Sequence, residues 1–462
     1  MSSELRLLWE SAGGKIPDEW EIVPLESLFR DAKGIAVGVM YPGSHSPGGV
    51  PLIKVGDIKG GIISSAPDFC ISDEVNHEYR RSQLVGDELL ITLVGNPGEC
   101  VVVTPEMAGW NPARAIAVMK LKDSRLRTYV KTVLESAAGR HLIDSVLNTT
   151  VQKTLNLKDI RRLPIPIPTH EEIRNISEIA ETFSDRIALL RETNTTLEAI
   201  VQALFKSWFV DFDPVHAKMQ GRVPEGMIDA TAALFPDSFE ESELGPLPKG
   251  WSISAVANVS EIVKGKSYSS KDLVDKHTTA LVTLKSFERG GGFRMDGFKP
   301  YSGSFKPTQV VISGDLIVAY TDVTQAAELI GKPAIVVGIE EHDTLVASLD
   351  VGIVRPDLSV CGRQFLYGLF KTDSFQSHTL AHTSGTTVLH LSKDGVGSFQ
   401  FALPPARLIT IFEDIATQLS ERRQINSDQV RSLRLLRDTL LPRLISGQLR
   451  LPEAQHSLEA ML

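Results

Sequence analysis

The longest regular pattern in the chain is a helical repeat of apolar residues. From Thr169 to Phe209 the sequence contains no glycine or proline, and apolar residues recur every seven positions in two interleaved series. One series is Ile176, Phe183, Leu190, Leu197 and Leu204, and the other is Ala180, Ile187, Asn194 and Val201. This heptad stripe predicts a long helix that pairs with another helix and has one polar core position, at Asn194. Thr169, followed by two glutamates, is a suitable N-cap.

A second stripe of the same period lies near the end of the chain. Its members are Phe412, Leu419, Asn426, Leu433 and Leu440. Arg423 and Arg437 stand in the interleaved series, so we expect the pairing to shift register locally. The rest of the chain consists of short apolar or alternating runs broken by Gly, Pro, Asn and Asp, which predicts strands with frequent turns. Shorter helical stretches are predicted at about Leu126 to Val146 and Arg363 to Leu380.

The two halves of the chain repeat one another in sequence. The matches follow the same order in both halves, with an offset of 228 to 236 residues that drifts as loop insertions and deletions would require. They pair IPDEW with LPKGW, LIKVGDIKGG at Lys54 with LVTLKSFERGG at Lys285, VGDELLIT with SGDLIVAY, LNLKDI with LSKDGV, and Ile179-Ala180 with Ile415-Ala416. The chain is therefore an internal duplication.

This order predicts a mixed α/β (α+β) protein with strand-rich domains and long helices in alternation. The predicted ranges are a first domain at 1–168, a long helix at 169–212, a linker at 213–246, a second domain at 247–403, a second long helix at 404–446 and a tail at 447–462. A helix of about 40 residues is roughly 60 Å long. We expect the helices to pair antiparallel within one chain, relating the halves by an approximate two-fold axis. The alternative is a homodimer formed through parallel coiled coils.

Composition changes this interpretation only in part. The chain has 462 residues and a formal net charge of −9, which counts against nucleic-acid binding unless a local basic face exists. Its three cysteines, Cys70, Cys100 and Cys361, form no CxxC pair, which argues against a disulfide framework or a zinc site. No run of 18 apolar residues and no secretion signal occurs, so we expect a cytoplasmic protein outside the membrane.

The motifs of the common catalytic sites are missing from the sequence. The strings beginning at Asn96, Asn111 and Asp213 have the first proline of an adenine methyltransferase loop but lack its second proline and aromatic residue. The Gly-rich turn after Arg289 lacks the Lys-Ser/Thr ending of a phosphate loop. The histidines show no metal-binding spacing. We therefore predict a chain that is not an enzyme and has no metal site.

The repeat, the PIPIP…EEI entry to the first helix and the segments LFKSWFVDFDPVHAK, LIKVGDIKGG, LVTLKSFERGGG and SGTTVLHLSKD together resemble type I restriction-modification specificity subunits. The resemblance covers nearly the whole chain. It implies two target recognition domains that bind the halves of an asymmetric bipartite DNA sequence, with helices that fix the gap and dock two methyltransferase subunits. It also implies restriction and translocase subunits in the full complex. No cofactor would belong to this chain, because S-adenosylmethionine, ATP and magnesium would belong to the partners. One departure is the first-half NTTVQKT (Asn148 to Thr154), which replaces SGTT.

Contacts to phosphates need Lys, Arg and small polar donors, and base reading needs Arg, Lys, Asn or Gln. On those residue types the DNA-binding candidates in the first domain are Lys54, Lys59, Arg80, Arg81, Asn96, Arg114 and Lys153. In the second domain they are Lys264, Lys266, Lys285, Arg289, Arg294, Lys332, Thr383 and Ser384. An ordinary surface role is the alternative for each.

Two apolar residues at the end of the first long helix, Trp208 and Phe209, are candidates for partner docking. Burial within the chain's own core is the alternative. Other classes of protein stay open at this point: a fused restriction enzyme, and a coiled-coil scaffold whose two domains bind peptide or protein.

Overall fold

The first apolar stripe forms a helix from His170 to Phe209, and the second forms a helix from Ala406 to Ile445. The predicted N-cap of the first helix is present. Thr169 Oγ1 accepts a hydrogen bond from the Glu172 N–H at 3.3 Å, and Glu172 Oε2 accepts one from the Thr169 N–H at 2.9 Å. This reciprocal capping box satisfies two backbone donors that the first turn leaves without helical partners.

The structure is a computed structural model that describes residues 2–58, 60–63, 65–148, 153–295, 297–324, 326–338 and 342–449. Its contacts divide the chain into two units. Unit 1 is Met1–Leu190 with Gln429–Leu462, and unit 2 is Arg191–Asp428. Each long helix therefore contributes one half of its length to unit 1 and the other half to unit 2.

Unit 1 contains the elements that precede the middle of the first long helix. They are α1 Ser2–Ser11, β1 Glu21–Pro24, β2 Ile35–Val37, β3 Val50–Ile53, β4 Cys70–Ile71, α2 Asp73–Glu78, β5 Leu89–Thr92, β6 Cys100–Val102, β7 Asn111–Pro112, β8 Ile116–Met119, α3 Arg127–Glu135, α4 Ala137–Ser145, α5 Leu157–Arg162, β9 Pro164–Ile167 and the start of α6 His170–Phe209. Its larger sheet has the order β2-β8-β5-β6, and its smaller sheet has the order β4-β3-β7. Strands β3 and β7 of the smaller sheet are parallel.

Unit 2 repeats this architecture after a linker. Its elements are α7 Asp213–Met219, α8 Asp229–Ala232, β10 Phe239–Ser242, β11 Gly245–Pro248, β12 Ser252–Ala255, α9 Val256–Val259, β13 Ser260–Lys264, β14 Thr279–Val282, β15 Lys299–Pro300, β16 Val310–Val311, β17 Leu316–Ala319, β18 Thr321–Asp322, β19 Pro333–Ile335, β20 Thr344–Ala347, β21 Val351–Pro356, α10 Arg363–Phe370, α11 Asp373–Ala381, β22 Thr383–Ser384, β23 Leu389–Leu391, β24 Gln400–Leu403 and the start of α12 Ala406–Ile445. The larger sheet is β13-β21-β17-β19, and the smaller is β15-β14-β20-β16 with β14 and β20 parallel.

The central strand of each larger sheet is buried on both faces. In unit 1, Leu89 and Ile91 of β5 pack into the core that contains α3 and α4, while Leu90 packs against Ile53 of the smaller sheet. In unit 2, β17 divides its residues between two clusters in the same alternating way. Alternation between two covered faces explains why these strands are continuous apolar runs in the sequence. The internal duplication is thus confirmed at the level of strand order.

The long helices pack against each other inside each unit. In unit 1, Ile173, Ile176 and Phe183 of α6 belong to the same core as Leu440 and Leu444 of α12. In unit 2, Phe205 of α6 contacts Phe412 of α12, with ring centroids 5.6 Å apart, and Asn194 bonds Asn426. Higher numbers in α6 meet lower numbers in α12, so the pairing is antiparallel.

At the end of α6 the buried face departs from the predicted heptad stripe. Leu204 is only half-buried, whereas Phe205, Trp208 and Phe209 are buried. A straight helix has 3.6 residues per turn, so its buried face drifts away from a strict seven-residue repeat. The Phe205 ring also contacts Phe365 of α10, so this end of the helix meets more than its partner helix.

Each of the shorter helical stretches is two helices rather than one. In unit 1 the break falls at Ser136, whose extended ψ of 162° ends α3 and whose Oγ accepts the Gly139 N–H at 3.1 Å to begin α4. In unit 2, Thr372 caps α11 through the Phe375 N–H at 3.3 Å. The hydroxyl of an N-cap residue stabilises an extended backbone at both positions, which interrupts the helix.

Candidate nucleic-acid interface

The parallel strand pair of each smaller sheet ends in the same short turn. In unit 1 the Lys54 N–H donates to Asp57 Oδ2 at 2.7 Å, and the Asp57 N–H donates back to the Lys54 carbonyl at 3.0 Å. In unit 2 the Thr283 N–H donates to Ser286 Oγ at 3.2 Å, and the Ser286 N–H donates to the Thr283 carbonyl at 2.9 Å. Lys54 therefore corresponds to Thr283. The sequence match of Lys54 with Lys285 is therefore wrong by two residues. The turn is defined by the side-chain acceptor at its fourth position, Asp57 or Ser286, and not by a lysine.

A glycine brings another segment across the end of each parallel pair. A Cβ added at Gly38 would lie 2.1 Å from the Pro112 carbonyl oxygen, and one added at Gly265 would lie 2.0 Å from that of Ser348. Only a residue without a side chain fits this approach. The next residue then bonds the strand end: the Lys266 N–H donates to the Ala347 carbonyl at 2.7 Å, as Val39 does to Pro112.

In unit 1 the structure brings four candidates to the smaller sheet. Lys54 follows β3, and Arg114 follows the adjacent parallel strand β7, where its N–H donates to the Val39 carbonyl at 2.9 Å. Arg80 and Arg81 follow α2, which the buried side chain of Asn111 ties to β7 by hydrogen bonds to Asn76 and Ser82. Lys54, Arg80, Arg81 and Arg114 are all exposed. Lys54 and Arg114 thus lie at the same end of the parallel pair and form a basic edge of unit 1, while Arg80 and Arg81 lie on the segment after α2.

Asn96 and Lys153 lie at the turn between β5 and β6. Asn96 is exposed and donates to Glu99 Oε2 at 3.1 Å, and exposed Lys153 precedes Thr154, which bridges Val94. Thr154 also pairs with Asn148, as His390 pairs with Ser384 in unit 2. The base of the NTTVQKT segment therefore matches that of the SGTT segment. Lys59 and residues 149–152 lie outside the described residues.

In unit 2 the smaller sheet gathers Lys266, Lys285 and Arg294. Lys285 lies in the turn after β14, and the Arg294 N–H donates to the Ser286 carbonyl at 2.8 Å in that turn. Lys264, exposed, ends β13 one residue before Gly265. These four candidates surround the end of the parallel pair.

The remaining unit 2 candidates are more strongly engaged with the protein. Arg289 Nε is 3.2 Å from Glu328 Oε2. Burial lowers the pKa of Lys332, and the neighbouring charge of Lys371 lowers it further, although Asp373 opposes the shift. Thr383 Oγ1 donates to the Thr379 carbonyl at 2.7 Å, whereas Ser384 is exposed at the start of its hairpin. These contacts favour a structural role for Arg289, Lys332 and Thr383.

Sequence reasoning missed several aromatic and basic residues of these sheet edges. Tyr41, 76% exposed, and Tyr268 occupy the same place three residues after Gly38 and Gly265. Phe69 and Lys299 hold matching positions beside β3 and β14, paired with Leu52 and Leu281 respectively. The shared Gly-x-x-Tyr spacing, 227 residues apart in the two halves, was a signal that could have identified the tyrosines.

Trp208 and Phe209 belong to the core of unit 2. They are 4% and 6% exposed, and both contact Phe412, with ring centroids 6.4 and 5.3 Å apart. Aromatic side chains buried in this way stabilise the chain's own fold. The structure shows the alternative of burial, so we assign both residues to the core and not to a docking surface.

Within the described ranges, no group of three His, Cys, Asp or Glu side chains is placed to hold a metal ion. The described helices also include none that is long and apolar enough to span a bilayer. The site is thus a pair of sheet edges with basic, polar and aromatic side chains.

The fold defines a class of proteins in which one mixed α/β unit occurs twice in the chain, joined by long helices. The crystal structure of a type I restriction-modification S subunit from M. genitalium has the same fold, with a TM-score of 0.51 at 14% identity over 93% of this chain and 97% of that one. The chain is 26% identical over 372 residues to the type I restriction enzyme HindI specificity subunit of Haemophilus influenzae, covering 70% of this chain and 74% of that protein. It is 20% identical to the MjaIX specificity subunit of Methanocaldococcus jannaschii over 95% of this chain and 96% of that protein. No family model matches.

The resemblance to the specificity subunits of type I restriction-modification systems is confirmed, because the chain is similar to several of them over most of its length. Specificity subunits are the non-catalytic, DNA-recognising members of those systems. The prediction that this chain is not an enzyme is confirmed by its similarity to these subunits.

Proposed function

We propose that unit 1 and unit 2 each bind one half of an asymmetric, bipartite DNA target. The observation that carries this proposal is one backbone frame with different side chains at matching positions. Lys54 stands where unit 2 has Thr283, and Val39 stands where unit 2 has Lys266. Base-edge readout depends on which donors and acceptors a fixed frame presents. Two units with the same frame and different side chains suit two different half-sites.

The proposed role of the long helices is to fix the unread gap between those half-sites. Each helix is 40 residues long, and each contributes to the cores of both units. A helix that is part of a core at each end resists bending better than an irregular linker. This proposal keeps the predicted domain and spacer ranges given above as its working boundaries.

The partners in this proposal are two methyltransferase subunits, with restriction and translocase subunits in the complete complex. S-adenosylmethionine, ATP and magnesium bind to those subunits and not to this chain. The complex works in the cytoplasm. The formal net charge of −9 supports this separation of DNA-binding and partner-binding surfaces. Acidic surfaces outside the basic sheet edges repel DNA and are available for contacts with protein.

The test is to map adenine methylation across the host genome with the gene intact and deleted. Deletion is expected to erase methylation at one motif made of two short half-sites and an unread gap. Unchanged methylation, together with failure of this chain to co-purify a methyltransferase, would contradict the proposal.

Single substitutions in each unit sharpen that test. Arg114→Ala in unit 1 and Lys266→Ala in unit 2 each remove one basic side chain from a smaller-sheet edge. Each is expected to reduce methylation because recognition of one half-site only is relaxed or weakened. If the lost side chain contacts a base, the binding free energy should weaken by about 1–3 kcal/mol. Altered preference in the same half-site for both variants would argue against one half-site per unit.

A further inference from the structure

A lysine is stacked on an aromatic ring at the edge of the smaller sheet of unit 1. Lys54 Nζ lies 3.7 Å from the centroid of the Phe69 ring, and the His45 ring lies 5.6 Å from the same ring. His45 Nδ1 accepts the Cys70 N–H at 3.1 Å, which fixes His45 beside β4. The ammonium group is therefore held in one place although the Lys54 side chain is exposed.

Unit 2 has a corresponding pair that is built from different strands. Lys299 occupies the position of Phe69, because it pairs with Leu281 as Phe69 pairs with Leu52. Its Nζ lies 5.8 Å from the centroid of the Tyr268 ring and 3.5 Å from the Tyr268 hydroxyl. Tyr268 is also packed against Leu281 and neighbouring residues of the sheet. At the smaller sheet of each unit, an aromatic side chain thus holds an ammonium group, through its ring face in unit 1 and mainly through its hydroxyl in unit 2.

No described carboxylate is in ion-pair contact with Lys54 or Lys299, so each charge is available to an external anion. An ammonium that is already held by a ring face or by a hydroxyl loses less side-chain freedom when it binds a phosphate. Contacts to phosphates fix the register of a protein on the duplex, and they are independent of base sequence. A fixed ammonium group on each smaller sheet therefore suits a phosphate of the DNA backbone.

We propose that Lys54 and Lys299 are positioning residues with the same role on neighbouring strands, and that each binds a backbone phosphate and sets the register of its own unit on the DNA. Phe69 and Tyr268 preorganise them. This inference rests on the proposed function, and it assigns the positioning role by the contact of each lysine with an aromatic side chain and not by the lysine-to-lysine match in the sequence.

The test measures DNA binding by the complex purified through this chain, at several salt concentrations. The probes are a duplex with the methylation motif and a duplex of equal length without it. Lys54→Gln and Lys299→Gln are each expected to lower affinity for both duplexes by the same factor. Each is also expected to reduce the slope of log affinity against log salt by about one unit. Lys54→Arg, which keeps the charge, should retain the slope.

Matched controls remove a lysine of the same unit away from the sheet edge. Lys33→Gln removes an exposed lysine before the opposite end of β2, and Lys249→Gln removes an exposed lysine before Trp251. Both should keep the wild-type slope. Phe69→Leu keeps the charge of Lys54 but removes the ring, so affinity is expected to fall about two- to fivefold with the slope unchanged.

The outcomes separate this inference from the proposed function. Slopes for Lys54→Gln and Lys299→Gln equal to those of the controls would overturn the phosphate assignment, as would a loss confined to the duplex with the motif. A wild-type complex that does not prefer the motif duplex would instead overturn the proposed function.

Discussion

Glu198 is a half-buried carboxylate at the centre of a charged network in unit 2. It contacts Arg423, and it accepts hydrogen bonds from Lys371 Nζ at 3.1 Å and from the Tyr367 hydroxyl at 3.0 Å. Burial raises the pKa of Glu198, but the charges of Arg423 and Lys371 outweigh that effect, so the pKa is lowered overall. Arg423, an exception to the apolar stripe in the sequence, thus has a partner on the facing helix.

Replacing Glu198 with Gln is expected to destabilise unit 2 by about 2 kcal/mol at pH 7, because Arg423 and Lys371 would keep their charges without the carboxylate. The measurement is denaturant unfolding of the full chain. Glu192→Gln, at an exposed position of the same helix, is the matched control and should change stability by less than about 0.5 kcal/mol.

The loss of stability in the Glu198→Gln variant should depend on pH. Because the folded-state pKa of Glu198 lies below the unfolded value of about 4.3, its stabilisation is present above that pH. The stabilisation is lost as the pH falls through the folded value. The difference in unfolding free energy between wild type and Glu198→Gln should therefore narrow on acidification. A constant difference between pH 7 and pH 3 would show that the carboxylate charge is not the cause.

Residue type alone was a poor guide to the recognition edges. Lysine and arginine identify possible phosphate contacts, yet Arg289 pairs with Glu328 and Lys332 is half-buried. Lys299 was missed because its environment depends on a neighbouring strand and on a tyrosine about 30 residues earlier in the chain. Sequence spacing cannot predict such contacts without the register of the strands.

Among the helices, the most specific feature is a pair of asparagines inside the apolar stripe. Asn426 is fully buried, and its Nδ2 donates to Asn194 Oδ1 at 2.9 Å. Asn194 Nδ2 lies 3.2 Å from both the Arg423 carbonyl and Ser427 Oγ. A polar pair in an apolar seam fixes helix register at some cost in stability. The sequence placed both asparagines in the stripe, because heptad position depends only on local spacing.

Substitution of one asparagine should cost more than substitution of both. Asn426→Leu leaves Asn194 Oδ1 without this donor inside the seam, so we expect a loss of about 1–3 kcal/mol. The double variant Asn194→Leu/Asn426→Leu replaces both polar groups with apolar ones and is expected to recover much of that loss. A double-mutant cycle on unfolding free energies measures the coupling. Simple additivity of the two single changes would contradict a coupled pair.

The breaks in the two shorter helical stretches are a feature that the apolar period of the sequence does not predict. Both stretches keep a helical apolar pattern, but Ser136 and Thr372 interrupt them with side-chain caps. Ser and Thr favour N-caps but also occur inside helices, and the apolar period does not distinguish the two positions, so the pattern alone predicts one helix. The strand order, by contrast, required the fold, because runs such as ELLITLVG show burial but not neighbours.

At the scale of the whole chain, the duplication separates the backbone frame, which the two units share, from the side chains at the sheet edges, which differ. The two larger sheets share one order, and the turns after β3 and β14 share one hydrogen-bond pattern. Side chains on that frame differ between the units. Under the proposed function, we expect sequence changes at the sheet edges to alter one half-site and to leave the gap unchanged.

The gap itself is the subject of the last prediction. A heptad of helical sequence inserted after Leu190 in α6, with a second after Asp428 in α12, lengthens both helices at the boundary of the two units. Seven residues add about 10 Å of helix, close to three base pairs of DNA. Genome methylation mapping is expected to show unchanged half-sites and a gap longer by about three base pairs.

A heptad inserted after Gly226, in the exposed linker between α7 and α8, is the control, because it lengthens the chain without lengthening either long helix. It should leave the gap unchanged. If the paired insertions change a half-site but not the gap, the helices do not set the spacing. A changed gap with intact half-sites would mean that helix length and sheet-edge chemistry separately determine the two parts of the target.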